Sequence, residues 1–110
     1  MEDNVTLIGF MGAGKTTVGQ RLAERLSRRF VDVDEVIESR AGMSVAEIFA
    51  AEGERGFRRR EADAVRDICR AGGQVIAAGG GTVMDRDSLA RLRRSGAVVW
   101  LRGDMDELLA

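Results

Sequence analysis

The chain has 110 residues, of which 45% are hydrophobic and 32% are charged, a length that suffices for one compact α/β domain but not for two. With 17 basic and 18 acidic residues the net charge is −1, which creates no field that would attract nucleic acid or an anionic membrane surface. The lack of histidine and the single cysteine, Cys69, argue against zinc sites, Ser-His or Cys-His nucleophiles and internal disulfides. We therefore expect residues 1–110 to form a single domain that binds a small ligand.

The sequence predicts neither a membrane span nor a secretory signal. No run approaches the roughly 18 uncharged apolar residues that a spanning helix needs. The first four residues, Met1–Asn4, are acidic where a signal peptide would be basic. We expect a cytoplasmic monomer that binds neither membranes nor nucleic acid.

The first half of the chain alternates apolar runs with helical periodicity. The predicted elements, in chain order, are a strand at Val5–Gly9, a helix with Val18, Leu22 and Leu26 at four-residue spacing, a strand at Phe30–Asp34, a helix from Val36 to Gly42, and a further helix opened by the capping box of Ser44 and Glu47. This order is typical of α/β proteins.

The second half continues the alternation. It predicts a helix at Glu54–Arg70, a strand at Gln74–Ala78 that runs into three glycines, a helix at Ser88–Arg94, a strand at Ala97–Leu101, and the start of a helix near Asp104 and Glu107. Strands separated by helices pair in parallel, with helices on both faces of the sheet and ligands at the carboxyl ends of the strands. We expect about four parallel strands.

Residues Gly9 to Thr16 read G-F-M-G-A-G-K-T and match the phosphate-binding pattern G-x-x-x-x-G-K-[ST], between a predicted strand and a predicted helix. Glycines let successive N–H groups converge on phosphate oxygens, and the helix adds its positive N-terminal end. Lys15 should reach the β and γ phosphates of ATP, and the Thr16 hydroxyl should hold Mg²⁺. The pattern predicts a P-loop NTPase-type fold in three α/β/α layers, with these nucleotide-binding residues: Gly12, Ala13, Gly14, Lys15, Thr16 and Thr17.

Two aspartates follow the second apolar run. Many P-loop enzymes place an acid at the end of a later strand to complete the Mg²⁺ site, and here the third predicted strand ends in glycines instead. Asp32 and Asp34, at positions i and i+2 of a predicted strand, should point to the same face. We expect Asp32 to serve Mg²⁺ and Asp34 to accept the proton of an attacking hydroxyl. The alternative is that these acids only cap the next helix.

One glutamate of the helix predicted at Glu54–Arg70 falls on its apolar side. On a helical wheel centred on Phe57 and Ile68, Glu61 falls within the apolar stripe and Arg58 lies at its edge. A carboxylate on the core side needs a partner, and Arg58 is placed to provide one. The pair would orient the guanidinium toward a substrate carboxylate, or would be an internal salt bridge and nothing more.

The triple glycine Gly79, Gly80 and Gly81 follows the third predicted strand, so it opens at the same edge as the phosphate loop. Its backbone amides could approach a polyhydroxylated ligand closely, and a flexible turn is the alternative. These motifs, in order, resemble those of shikimate kinases: G-F-M-G-A-G-K-T-T at Gly9–Thr17, F-V-D-V-D at Phe30–Asp34, G-E-R-G-F-R-R-R-E at Gly53–Glu61 and G-G-G at Gly79–Gly81.

The resemblance covers the whole chain and implies transfer of the ATP γ-phosphoryl group to the 3-hydroxyl of shikimate, in the pathway to aromatic amino acids. It further implies that Asp34 and Arg58 bind the hydroxyl and carboxylate of shikimate, that Gly79–Gly81 line its ring, that Asp32 serves Mg²⁺, and that Phe49 and Phe57 flank the ring.

The sequence departs from this family at its end. Family members continue past the fourth strand into an arginine-bearing lid over ATP, a further arginine for the shikimate carboxylate, a fifth strand and an adenine-contacting loop, whereas this sequence ends at Ala110. Two alternatives stay open: a nucleotide-binding P-loop fragment without turnover, and a P-loop kinase for another small hydroxylated metabolite such as gluconate or a nucleoside monophosphate. The latter does not account for Arg58 with Glu61 and the triple glycine together.

Overall fold

A computed structural model describes residues 3–9 and 15–101, with the backbone alone at Lys15 and Val83. Within these residues the chain forms the strands β1 (Asn4–Gly9), β2 (Arg29–Asp32), β3 (Gln74–Gly79) and β4 (Gly96–Trp100), the helices α1 (Lys15–Leu26), α2 (Val33–Ala41), α3 (Val45–Ile68) and α4 (Arg86–Ser95), and a 3₁₀ helix at Gly80–Met84. Some predicted features lie outside the described residues: Gly12, Ala13 and Gly14 of the phosphate loop, and the helix near Asp104 and Glu107.

The strands form one parallel sheet in the order β2-β3-β1-β4. The register pairs Gly9 with Gly79 and Asp32 with Ala77, so β1, β2 and β3 end at the same edge of the sheet. The four-stranded parallel sheet expected from the sequence is therefore confirmed. In a sheet of this kind ligands bind outside the carboxyl ends of the strands.

Apolar side chains alternate between the two faces of the sheet, as the period of two in a strand requires. On one face Leu7 and Val75 pack with Ala23 of α1. The other face is covered by α2, α3 and α4, and its core contains Ile8, Val31, Val33, Ile37, Ile48, Phe57, Ala64, Val65, Ile68, Ile76, Ala78 and Leu92. Helices on both faces give the three-layer arrangement that the sequence predicted. None of the described helices combines the length and apolarity needed to cross a membrane.

Helix α3 joins two helical segments that the sequence predicted separately. The capping box at its start is present, because the Glu47 N–H donates to Ser44 Oγ at 3.1 Å and the Ser44 N–H donates to Glu47 Oε1 at 3.0 Å. Between the segments Gly53 has φ 72° and ψ −177°, a conformation that an L side chain rarely adopts and that kinks the helix. The second segment presents Phe57 and Glu61 to the core.

Candidate active site

The candidate site lies at the carboxyl edge of the sheet. Strand β1 ends at Gly9 and α1 begins at Lys15, so the phosphate-loop motif joins the end of a central strand to the start of a helix. This is the context in which the motif binds phosphate, since the N–H groups of a helix N-terminus attract anions. Thr16 and Thr17 are exposed in the first turn of α1.

The prediction that Asp32 and Asp34 share one face of a strand is wrong. Strand β2 ends at Asp32, and Asp34 lies in the first turn of α2. The physical reason is a helix cap: Asp32 Oδ1 accepts hydrogen bonds from the N–H groups of Asp34 at 2.9 Å and Glu35 at 3.4 Å. Capping ends the strand and lets Val33 enter the core. Both acids still follow the carboxyl end of β2, at the edge where Gly9 and Gly79 end their strands.

Oxygen donors at this edge suit a hard divalent cation. The described residues contain no group of three or more histidine, cysteine, aspartate or glutamate side chains that could hold a metal ion by themselves. Mg²⁺, however, is usually bound by one or two protein oxygens together with phosphate oxygens and water. The Thr16 hydroxyl and the Asp32 carboxylate therefore fit an ion that arrives with a nucleotide.

Arg58 is held by a buried carboxylate. Its Nη1 donates to Glu61 Oε1 at 2.9 Å, one turn further along α3, and Glu61 is 1% exposed. The other oxygen of Glu61, Oε2, accepts a hydrogen bond from Thr82 Oγ1 at 3.0 Å. The predicted pairing of Arg58 with Glu61 is confirmed, and the neighbouring Arg59 is exposed. Each carboxylate oxygen has a donor, which offsets the cost of burying the charge.

The end of the triple glycine lies against the same arginine. A Cβ atom placed on Gly81 would lie 2.7 Å from Arg58 Nη1 and 2.8 Å from Arg58 Cζ, closer than real contacts allow. The guanidinium therefore occupies the space that a side chain at position 81 would need. Because Gly81 follows the carboxyl end of β3, this contact places Arg58 at the edge that carries the phosphate-loop motif.

Two aromatic rings adjoin the arginine. The rings of Phe49 and Phe57 stack with their centroids 4.7 Å apart and their planes at 26°. Phe57 is buried, whereas Phe49 is 38% exposed and presents apolar surface to solvent. Arg58 Cζ lies 5.3 Å from the centroid of Phe57, within the range of a cation–π interaction. A cationic group, glycine backbone and an apolar ring thus adjoin one another here.

A cavity of about 370 Å³ opens at the opposite edge of the sheet, far from this site. It lies beside the C-terminal ends of α3 and α4, and its lining includes Asp3, Cys69 and Ser95. Burial raises the pKa of the Cys69 thiol, although Ser95 and two arginines act in the opposite direction. The thiol is therefore held in its unreactive form, and the phosphate-loop edge is the better candidate for chemistry.

Comparison with known proteins identifies the family. The shikimate kinase family model matches residues 11–110. The shikimate kinase of Symbiobacterium thermophilum is 53% identical to this chain over 105 residues, an alignment that covers 96% of this chain and 60% of that protein. The chain belongs to the shikimate kinase family. The resemblance seen in the four sequence motifs is thereby confirmed.

Other shikimate kinases agree in sequence and in fold. That of Nitrosomonas europaea is 47% identical, with 96% of this chain and 50% of that protein covered. The structure of shikimate kinase from Acinetobacter baumannii in complex with shikimate superposes with a TM-score of 0.90 at 40% identity, covering 99% of this chain and 61% of that one. Shikimate kinase from Aquifex aeolicus gives a TM-score of 0.85 at 35% identity, covering 96% and 63%. The chain thus spans about half to three fifths of the length of these family members.

One residue of this candidate site was missed by the sequence reasoning. Thr82 donates to Glu61 from 21 positions further along the chain, and no local periodicity points to that contact. A signal did exist, since a buried carboxylate has two oxygens and the helical wheel supplied a donor for only one of them. A search for a hydroxyl near the carboxyl ends of the predicted strands would have included Thr82, directly after the triple glycine.

Proposed function

We propose that this shikimate kinase family chain transfers the γ-phosphoryl group of ATP to the 3-hydroxyl of shikimate, a step in aromatic amino acid biosynthesis. The observation that carries the proposal is the placement of Arg58. Glu61 holds its guanidinium, and Gly81 leaves space for it, at the sheet edge where the phosphate-loop motif joins β1 to α1. A cation fixed at that edge suits an acceptor that carries a carboxylate, as shikimate does.

The nucleotide would be bound by the phosphate loop. Backbone N–H groups of the loop and of the first turn of α1 would donate to the phosphate oxygens, and Lys15 would neutralise charge on the β and γ phosphates as the transferring group departs. The proposed nucleotide-binding residues are Gly12, Ala13, Gly14, Lys15, Thr16 and Thr17. The N-terminal end of α1 adds a positive potential at the same place.

Thr16 and Asp32 are the proposed protein contacts of Mg²⁺. Because Asp32 Oδ1 caps α2, its carboxylate is held at the end of β2, at the sheet edge where β1 also ends. When bound, Mg²⁺ supplies charge neutralisation on the phosphate oxygens and orients the donor phosphate. The protein contributes the oxygen atoms and their orientation.

Asp34 is the proposed proton acceptor. It lies at the start of α2, half-buried, where the helix N-terminus favours a carboxylate. The 3-hydroxyl of shikimate would donate its proton to this carboxylate as the oxygen attacks the γ phosphorus. Asp34 therefore has two proposed roles, binding the hydroxyl and removing its proton.

The remaining substrate contacts fix the orientation of the ring. Arg58 would bind the shikimate carboxylate with its planar guanidinium, and the backbone at Gly79, Gly80 and Gly81 would line one side of the ring. The exposed face of Phe49, supported by Phe57, would form an apolar wall. Gripping the carboxylate at one end of the ring would direct the 3-hydroxyl toward the phosphates, so that positioning supplies much of the rate.

A turnover assay tests this proposal. The chain would be incubated with ATP, Mg²⁺ and shikimate, and shikimate 3-phosphate would be followed by ³¹P NMR, with gluconate and AMP as alternative acceptors and Lys15→Met as the inactive control. Phosphorylation of shikimate alone supports the proposal, and phosphorylation of another acceptor in its place contradicts it. A second candidate, nucleotide binding without turnover, would need only the phosphate-loop motif between β1 and α1. ATP binding by calorimetry with no product would support that candidate.

The domain organisation, oligomeric state and cellular location of the chain are also proposals. The two apolar clusters lie on opposite faces of one sheet, which supports a single domain over residues 1–110. We propose that the chain acts as a monomer in the cytoplasm, with ATP and shikimate as its ligands and without nucleic acid or membrane as partners. The near-neutral charge balance supports the last point.

A further inference from the structure

A buried hydrogen bond connects α3 to the 3₁₀ helix that follows β3. Thr82 is 0% exposed and donates to Glu61 Oε2 at 3.0 Å, while Arg58 Nη1 donates to Oε1 of the same carboxylate at 2.9 Å. A carboxylate rotates readily about its terminal bond, because torsions of that kind have broad minima. Donors on both oxygens fix that rotation, and the direction in which Arg58 points depends on it.

Arg58 also has a second, more exposed carboxylate partner. Its Nε lies 3.7 Å from Oε1 of Glu54, one turn back along α3, and the Glu54 side chain is 75% exposed. If Glu61 turned away, the guanidinium would remain free to move toward Glu54 and solvent. Without the Thr82 hydroxyl to hold Glu61, we expect the guanidinium to shift along the helix toward Glu54.

Gly81 leaves room for the arginine, since a Cβ there would lie 2.7 Å from Arg58 Nη1. Two consecutive residues thus act on one guanidinium, Gly81 by leaving space and Thr82 by orienting Glu61. We infer that Thr82 is a positioning residue for recognition of the acceptor's carboxylate, acting through Glu61 on Arg58. The inference rests on the proposed function, in which Arg58 binds that carboxylate.

The test compares two isosteric changes at buried threonines. Thr82→Val removes the donor to Glu61, and we expect shikimate to bind about three- to tenfold more weakly, with ATP affinity within twofold of wild type. Thr82→Ser keeps the hydroxyl and should restore shikimate affinity. The matched control is Thr6→Val, because Thr6 is 0% exposed and its Oγ1 has no hydrogen-bond partner among the described residues. A general effect of losing a buried hydroxyl would appear in both variants.

The methyl ester of shikimate separates positioning from packing. Wild type should bind shikimate more tightly than the ester. Thr82→Val should weaken shikimate binding about three- to tenfold and leave ester binding unchanged, so that the preference for the acid falls by the same factor. Should Thr82→Val fail to fold, Thr82→Cys, whose thiol is a weaker donor, is expected to show a smaller loss of the same kind. Equal losses of affinity for the acid and the ester, or no loss for either, would overturn the inference and leave the proposed function standing. A wild-type chain that binds no shikimate would overturn the proposed function and the inference with it.

Discussion

Replacing Arg58 with alanine separates a substrate-binding role from a structural one. The change leaves Glu61, whose side chain is 2% exposed, with Thr82 as its remaining donor. Removing one partner of a fully buried pair costs about 3 to 5 kcal/mol. Because the Arg58 side chain is 30% exposed and Thr82 still donates, we expect about 2 kcal/mol. For a domain of this size that loss lowers the melting temperature by roughly 8 to 16 °C.

Glu61→Gln in the same chain removes the buried charge and keeps an oxygen that can accept from Thr82. We expect Arg58→Ala with Glu61→Gln to regain most of the melting temperature, since the two positions are directly coupled. Arg59→Ala is the matched control, because Arg59 is exposed on the same helix and its loss should cost within about 0.5 kcal/mol.

Shikimate affinity should behave differently from stability. A charge-assisted contact worth about 2 to 3 kcal/mol corresponds to binding about 30- to 150-fold weaker in both Arg58 variants, with ATP binding nearly unchanged. Calorimetry with each ligand and a thermal melt on each variant give the answer. Unchanged shikimate affinity beside a recovered melting temperature would refute the binding role, and a melting temperature that Glu61→Gln does not recover would refute the account of the buried pair.

Four further outcomes are expected. Lys15→Met should abolish phosphoryl transfer without lowering the melting temperature, and turnover near the wild-type rate would contradict the phosphate-loop assignment. Asp34→Asn should lower kcat about 10²- to 10⁴-fold with little change in ATP affinity, whereas weaker ATP binding at normal kcat would assign Asp34 to the metal. Hydrogen bonds from the N–H and the hydroxyl of Ser44 lower the pKa of Glu47 below its ordinary 4.5. The stability that they provide is therefore complete above pH 4.5 and is lost as the pH falls through the lowered pKa. The melting temperature of Glu47→Gln should accordingly depend less on pH in the acid range. Burial raises the pKa of Cys69, so iodoacetamide at pH 8 should modify it more slowly in the folded chain than in urea, and equal rates would contradict this.

Local patterns predicted most of the fold. Strands and helices differ in their apolar period, so the alternation along the chain gave the order of the elements and the parallel sheet. The helical wheel also predicted that Glu61 faces the core with Arg58 beside it, because both belong to one helix and their relative positions follow from its geometry. The resemblance of four motifs pointed to the family that the comparisons then identified.

The boundaries and long-range contacts were harder to predict. F-V-D-V-D looks like an alternating strand, yet an aspartate also caps helices well. Whether the strand continues past Asp32 or ends there in a helix cap depends on how Val33 fits the core. The contacts of Thr82 with Glu61 and of Gly81 with Arg58 join segments about 20 positions apart, and only the folded chain brings them together. The sequence therefore predicted the sheet edge that carries the site and the pairing of Arg58 with Glu61, but not the contacts of Thr82 and Gly81 that support the pair.

The strand order has a consequence for how the chain folds during synthesis. In the described sheet β1 lies between β3 and β4, and β2 pairs with β3 alone, so neither of the first two strands has a partner until β3 has been made. Asn4 and Gln74, joined by a hydrogen bond of 2.9 Å where β1 and β3 begin, are 70 positions apart. Closing such a loop is entropically costly and slow. A nascent chain on the ribosome therefore exposes the apolar strand β1 until β3 has been made, and in that interval it is open to aggregation or to capture by a chaperone.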